Sequence, residues 1–160
     1  SHEGVSLARS VGQGIGPFDR VASSHLPRAI ETAIAMGMAV DYVIEDLGTS
    51  LSNDLFSLIS WPRPIHEIAQ IVSECGECWR YAQAQALLWR SVLRNGAEAA
   101  LIISHGAIIE LGALGMVPNT DHRTWGNAIG YCEGFRFTIH GNKVNCEVLR
   151  LPPEDQVIVN

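Results

Sequence analysis

Two segments of this chain share one organisation, and that organisation constrains the fold more than any other feature. Residues 20–33 read RVASSHLPRAIETA, and residues 99–112 read AALIISHGAIIELG. In each segment an apolar stretch typical of a β-strand leads through short polar residues into a helical pattern. Such strand-loop-helix units indicate an α/β fold with a mostly parallel sheet.

Polar side chains stand where both predicted strands end. They are Ser23, Ser24, His25 and Arg28 in the first segment, and Ser104 and His105 in the second. The carboxyl ends of parallel strands meet at one edge of a sheet, where the following helices begin with unpaired N–H groups and a positive dipole end. Such an edge attracts anions, so the two loops predict one site for a phosphate-sized ligand.

The remaining pattern alternates helices and strands. The predicted helices are Glu3–Gly14, Pro27–Gly37, one turn at Leu55–Ile59, a long region at Ile65–Arg94 that is interrupted near Gly76, and Ala107–Met116. The predicted strands are Val21–Ala22, Ala39–Ile44 and Ala99–Ile103, the last apolar throughout as in a strand covered on both faces. Gly130–Ile139 and Val144–Leu151 alternate around Gly141-Asn142, which predicts a C-terminal antiparallel hairpin.

Composition limits the size and the partners of the fold. The 160 residues, 47% hydrophobic and 18% charged, suit one domain over residues 1–151 with a loosely ordered tail at 152–160. A net charge of -6 argues against nucleic acid and anionic membranes as partners, because both require clustered basic residues. No apolar run has membrane-spanning length and no signal-peptide pattern is present, so we expect a cytoplasmic protein.

The same residues resemble a known family. SSHLPRAIETA resembles the S-S-x-L-x-R-A-x-x-T-A stretch of the histidine phosphatase superfamily (phosphoglycerate-mutase-like), and ISHGAIIELG resembles its second-histidine motif. Residues 2–19 are similar to the L-T-x-x-G helix that leads into the first of these motifs. The resemblance covers residues 2–49 and 97–116. It implies a three-layer α/β/α sandwich and a phosphohydrolase that acts on a phosphate ester or phosphohistidine and requires no cofactor or metal.

The resemblance assigns roles to the residues at the predicted edge. It implies that His105 binds and polarises the phosphoryl group and that Arg28 is a phosphate-binding arginine, whose planar guanidinium suits two phosphate oxygens. Gly106 lacks a side chain, so a ligand is able to approach its backbone. Ser24 either caps the following helix, which we favour, or contacts the ligand. The alternatives are a structural His105 and an Arg28 that pairs with Glu31.

A phosphatase of this type also needs a proton donor for the leaving oxygen. In the family a carboxylate follows the strand after the arginine helix, in a stretch such as E-I-D-F-G. The nearest match here is Ile44-Glu45-Asp46-Leu47-Gly48, one position out of register. Glu45 is our prediction for the acid and Asp46 the second choice, and a solvated acidic turn is the alternative.

The family nucleophile is the histidine of an R-H-G tripeptide at the end of an earlier strand, and no such tripeptide occurs in this chain. His2 is the nearest histidine, but no strand precedes it. We therefore expect the nucleophile upstream of Ser1. The alternatives are a phosphate-binding pseudoenzyme or interaction module without turnover, and a fragment without independent function.

The missing strand carries a structural expectation. We place it between the strands that end at Ser23 and Ile103, so that its absence leaves a gap of roughly 10 Å between them. The exposed strand edges then favour aggregation, a rearranged sheet or pairing with a second copy, such as a homodimer. The expected partner of the site itself is a phosphorylated small molecule or a phosphoprotein.

The chain has four cysteines. Cys75-Gly76-Glu77-Cys78 has the C-x-x-C spacing of a zinc or redox pair, but no second pair follows at metal-site spacing, so we expect ordinary helical residues. Cys132 and Cys146 lie in opposite arms of the predicted hairpin. With the turn at Gly141-Asn142, Cys146 faces Phe137 and Cys132 faces Leu151, so the two sulfurs point to opposite faces and we expect no disulfide between them.

Overall fold

The computed structural model describes residues 1–94 and 96–157, and within them the fold is mixed α/β. The described helices are α1 (His2–Gly14), α2 (Pro27–Ala35), α3 (Asn53–Ile59), α4 (Ile65–Glu74), α5 (Gly76–Val92) and α6 (Ile108–Met116). The described strands are β1 (Arg20–Ser24), β2 (Tyr42–Ile44), β3 (Ala100–Ile103), β4 (Gly134–His140) and β5 (Lys143–Leu149). Short 3₁₀ turns occupy Glu45–Leu47, His122–Trp125 and Pro153–Asp155.

The chain divides into two compact units. The first unit consists of Ser1–Ser50 and Leu87–His105, and the second of Leu51–Ala86 and the residues from Gly106 onward. The single domain over residues 1–151 stays a prediction. The described part of the predicted tail is hydrogen-bonded at Val157, whose carbonyl accepts from Tyr131 N–H at 2.7 Å. Residues 158–160 lie outside the described residues.

The first unit is built around a parallel sheet of strand order β2-β1-β3. Strand β1 is central and is buried at Val21, Ala22, Ser23 and Ser24. Its neighbour β3 pairs with it directly, with Ala22 opposite Ile102 and Ser23 opposite Ile103. The predicted gap between these two strands is therefore wrong, because their backbone hydrogen bonds are made to each other.

Strand β3 also differs from its prediction. All four of its residues are half-buried, so the expectation of a strand covered on both faces is wrong. The reason is its place in the sheet, since β3 is an end strand in the described order whereas β1 is flanked on both sides. Apolar composition alone did not distinguish the two positions.

Two carboxylates align the sheet at the amino ends of its strands. Asp19 Oδ2 accepts hydrogen bonds from the N–H groups of Ala99 (2.9 Å) and Glu98 (2.8 Å), and these bonds hold the pKa of Asp19 below its usual value. Asp41 Oδ2 accepts from Val21 N–H at 2.8 Å. Because the strands start in register, their carboxyl ends also lie side by side.

The second unit has its own core, which surrounds one buried carboxylate. Glu110 on α6 is fully buried, and its Oε1 accepts from Trp61 Nε1–H and from Ile129 N–H, each at 2.9 Å. Burial raises the pKa of Glu110, so the neutral form is favoured. The apolar residues of this core are Ile59, Ile65, Ile68, Val72, Ala82, Ala86, Ile108, Leu111, Leu114 and Trp125.

The predicted hairpin is confirmed as β4 and β5. His140 is opposite Lys143 across a two-residue turn, and Gly141 adopts φ +58° at its first position, a conformation that glycine takes without strain. The predicted pair of Phe137 with Cys146 is also confirmed. Cys132 precedes β4, and all four cysteines are free thiols.

In the part of the chain that the structure describes, none of the helices combines the length and the apolar character that a membrane crossing needs.

A close contact between α1 and the end of α2 gives a stability prediction. A Cβ atom on Gly12 would lie only 2.6 Å from the Met36 Cα and even closer to its carbonyl oxygen, whereas a Cβ on Gly14 meets nothing within 4 Å. We expect Gly12→Ala to lower the free energy of unfolding by about 2 kcal/mol or more, because backbone cannot yield as a side chain does. Gly14→Ala, on the same helix, should change it by less than about 1 kcal/mol. Urea denaturation followed by circular dichroism measures both, and equal stability of the two variants would contradict this packing.

Candidate functional site

The carboxyl ends of β1 and β3 bring three predicted residues into contact in the first unit. The Ser24 hydroxyl oxygen lies 2.6 Å from Nε2 of His105. Arg28 Nε–H donates to His105 Nδ1 at 3.1 Å. The Arg28 guanidinium and the His105 imidazole, which belong to separate motifs, therefore meet at one edge of the sheet, and the Ser24 hydroxyl contacts the same imidazole.

These contacts fix the protonation of His105. The Arg28 Nε can only donate, so His105 Nδ1 is the acceptor and the ring proton is on Nε2, which donates to the Ser24 oxygen. Burial, the Arg28 charge and the neighbouring His25 lower the pKa of His105 to about 4. At neutral pH this imidazole is uncharged, and it offers one N–H donor at the site.

The charge of Arg28 is not compensated by a carboxylate. Its side chain is exposed, and none of the ion pairs in the described residues includes it, so the predicted alternative of a pair with Glu31 is not observed. It lies in the first turn of α2, where a positive charge is unfavourable beside the helix dipole. An anion at this edge would relieve that unfavourable interaction.

No side chain caps α2. Its N-cap residue is Leu26, so our preferred prediction that Ser24 caps this helix is wrong. Ser24 lies two residues too early, and its hydroxyl is engaged with His105 while Leu26 N–H approaches it at 3.4 Å. The start of α2 thus lacks a side-chain acceptor next to the Arg28–His105 pair.

The 3₁₀ turn after β2 packs tightly against the cluster. Ser104 Oγ–H donates to the Leu47 carbonyl at 2.6 Å, which ties this turn to the end of β3. A Cβ on Gly48 would lie 3.1 Å from the Ser24 Cβ and 3.3 Å from His25 Nδ1. Ser104 therefore has a structural role, and Gly48 permits the close approach.

Glu45 lies on this turn at the same edge of the sheet. Its side chain is exposed, and its backbone carbonyl accepts from Gly48 N–H at 2.9 Å. No hydrogen bond or ion pair of the Glu45 carboxylate is described in residues 1–94 and 96–157. Its role as the acid stays a prediction, as does that of the second choice, Asp46, whose carbonyl accepts from Ser50 Oγ–H.

His25, which was expected at this strand end without a role of its own, belongs to the cluster. Its Nδ1 is buried and lacks a hydrogen-bond partner among the described residues, and its position beside His105 contributes to the lowered pKa of that residue. Its place at the strand end was visible in the sequence. The packing of Gly48 against its ring was not, because it depends on the path of the chain after β2.

Two other candidate residues, Gly106 and His2, lie in surroundings that differ from those expected. In the second unit the Trp61 indole covers Gly106, since a Cβ there would lie 2.6 Å from Trp61 Cε2, so the open backbone at Gly106 is occupied by a ring. Ala107 follows with φ +68°, a strained conformation for alanine. In the first unit, His2 is the exposed first residue of α1, next to the N-cap Ser1.

Comparisons with known proteins add no relative. No protein-family model, no curated protein and no solved structure matches this chain. Within the described residues no group of three or more histidine, cysteine or acidic side chains is placed to hold a metal ion. Ser24, Arg28 and His105 are therefore the residues that bear on function.

The lowered pKa of His105 predicts a pH dependence of stability. The pKa of His105 is about 4 in the folded chain against 6.5 for an ordinary histidine, so the unfolded chain binds more protons between these pH values. Stability should therefore fall as the pH falls from about 6.5 to about 4, by about 1 to 2 kcal/mol once the partial exposure of His105 is allowed for. His105→Asn removes this part of the slope. The exposed His140 provides the control, and a His140→Asn variant that flattens the profile as much as His105→Asn would contradict the assignment.

Proposed function

We propose that this chain forms the phosphate-binding part of a phosphohydrolase of the histidine phosphatase type. The observation that carries the proposal is the contact between Arg28 and His105, which lie 77 residues apart on different strand-loop-helix units. Both belong to sequence motifs that resemble that family, and both were predicted to face one anion. The uncompensated guanidinium supports an anionic ligand.

The geometry supports a specific mode of phosphate binding. The two terminal nitrogens of Arg28 are suited to a pair of phosphate oxygens, as planar guanidinium groups are in general. His105 Nε2–H, which now donates to Ser24 Oγ, would donate to a third oxygen. The Ser24 hydroxyl, which is able to donate and accept, would then contact the same ion or its bridging oxygen.

In this proposal the two residues stabilise charge as the phosphoryl group is transferred. Phosphoryl transfer is catalysed mainly by positioning and by electrostatic stabilisation of the equatorial oxygens. A histidine upstream of Ser1 would attack phosphorus from outside the β1–β3 pair, because these strands leave no gap between them, and water would then hydrolyse the phosphohistidine. Glu45 would protonate the leaving oxygen of an ester. A phosphohistidine substrate has a better leaving group and depends less on that acid.

We further propose a single three-layer α/β/α sandwich over residues 1–151, a phosphorylated small molecule or phosphoprotein as substrate, and a cytoplasmic site of action. The second candidate is a phosphate-binding module without turnover, and the observation that favours it is that the Arg28–His105 pair provides donors for an anion and includes no nucleophile.

Phosphate binding tests the shared part of both candidates. Inorganic phosphate at about 100 times its dissociation constant should stabilise the folded chain by about 2.7 kcal/mol. Arg28→Ala and His105→Ala should each weaken binding roughly 10- to 100-fold, because each removes a charge-assisted or desolvated hydrogen bond. Thermal unfolding with and without phosphate measures this shift.

The matched control for Arg28 is Arg9, an exposed arginine on α1 in the same unit. Arg9→Ala should keep the full phosphate-dependent shift in melting temperature. If Arg9→Ala reduces the shift as much as Arg28→Ala, the binding is non-specific charge attraction and the proposed site is refuted.

Turnover separates the two candidates. A chain extended by the residues encoded before Ser1 should hydrolyse an aryl phosphate if they include the R-H-G strand. The His105→Ala variant of that extended chain should lose the activity. Phosphate binding without hydrolysis by the extended chain would favour the non-catalytic module.

A further inference from the structure

The C-x-x-C motif lies at the start of α5 in the second unit. The Cys75 carbonyl accepts from Trp79 N–H at 3.0 Å, so Cys75 is the N-cap residue of α5 and Cys78 is its third residue. Cys78 N–H donates to the Cys75 sulfur at 3.2 Å. This is the geometry in which an N-cap side chain accepts from the third residue, with sulfur as the acceptor.

The two cysteines differ in access. Cys75 is half-buried, whereas Cys78 is fully buried in the core of the unit. The thiols also contact each other, and the hydrogen bond from Cys78, followed by that from its backbone N–H, lowers the pKa of Cys75. Burial raises the pKa of Cys78 to about 12. The Cys75 sulfur is thus accessible and has a lowered pKa, whereas the neighbouring Cys78 sulfur is buried.

Charged neighbours do not reverse the difference in pKa between the two thiols. Glu77 is the charged residue of the first turn of α5, and its carboxylate opposes the thiolate of Cys75. The Arg80 guanidinium forms an exposed ion pair with Glu77 at 3.9 Å. The two hydrogen bonds from Cys78 outweigh the effect of Glu77 on Cys75.

A groove of about 470 Å³ lies beside the motif. Its lining includes Ser73 and Gly76, which lie two residues before and one residue after Cys75 in the chain, together with Trp79 and His122, and neither cysteine of the motif is among the lining residues. The groove thus borders the first turn of α5 at Gly76 and Trp79.

We propose that Cys75 and Cys78 form a dithiol site that exchanges with a low-molecular-weight disulfide of the glutathione type. The Cys75 thiolate attacks one sulfur of the disulfide RSSR, forms a mixed disulfide and releases one thiolate, which takes up a proton. The Cys78 thiol then loses its proton and attacks the Cys75 sulfur, which releases the second RS group as a thiol. The protein dithiol is oxidised to a disulfide, and RSSR is reduced to two RSH.

The chain provides internal controls for this reaction. Cys132 and Cys146 are also half-buried in the second unit, but burial raises their pKa values to about 11 and about 12. Thiol reactivity follows the thiolate fraction. Cys75 should therefore react with oxidised glutathione at least about tenfold faster than Cys132 or Cys146.

The experiment treats the folded 160-residue chain with oxidised glutathione, quenches with N-ethylmaleimide and maps each cysteine by peptide mass spectrometry. The wild-type chain should lose two hydrogen masses from the peptide that carries Cys75 and Cys78 and retain no glutathione there. Cys78→Ala should retain one glutathione on Cys75. Cys75→Ala should leave Cys78 unmodified, because that sulfur is buried.

Several outcomes overturn the proposal. Equal rates at Cys75 and Cys132 in the wild-type chain would show that Cys75 only caps the helix, and this comparison needs no substitution. A wild-type mixed disulfide that persists would show that Cys78 cannot resolve it. Circular dichroism of each variant identifies loss of folding, and phosphate stabilisation of the same samples is read separately, so failure of one proposal is distinguishable from failure of the other.

Discussion

The hydrogen bond from Arg28 Nε to His105 Nδ1 is the interaction on which the account of this protein depends. It joins the first turn of α2 to the loop after β3, sets the tautomer of His105 and directs the remaining ring N–H to Ser24. It also places a positive charge beside the imidazole, which contributes with burial to the low pKa of that ring. A cation without a carboxylate partner, next to a neutral donor and an uncapped helix start, is an arrangement that favours an anion.

The sheet register makes this contact possible. Ser23 pairs with Ile103, so the residues that follow each strand emerge at the same level of the same edge. The carboxylates of Asp19 and Asp41 secure the opposite ends of the strands. The side chains of the site come from the last residue of β1, the first turn of α2 and the loop after β3, and backbone hydrogen bonds between the two parallel strands hold these segments together.

The sequence predicted best where short-range chemistry decides the structure. The hairpin register followed from the turn at Gly141-Asn142, and the convergence of Arg28 with His105 followed from the shared end of parallel strands. Prediction from the sequence failed where the surroundings of a residue depend on which elements become neighbours in the fold. Apolar composition could not show that β3 is an end strand, and a loop pattern could not show that Ser24 would bond His105 instead of capping α2. The ring of Trp61 over Gly106 likewise depends on a distant loop.

The most direct test is nuclear magnetic resonance of the His105 imidazole during a pH titration, with and without saturating inorganic phosphate. Without phosphate the pKa should lie near 4, and the ring should carry its proton on Nε2 at neutral pH. A phosphate ion held by both Arg28 and His105 adds negative charge beside the ring, so the pKa of His105 should rise by at least about one unit. A pKa of His105 that is the same with and without bound phosphate would contradict the shared site.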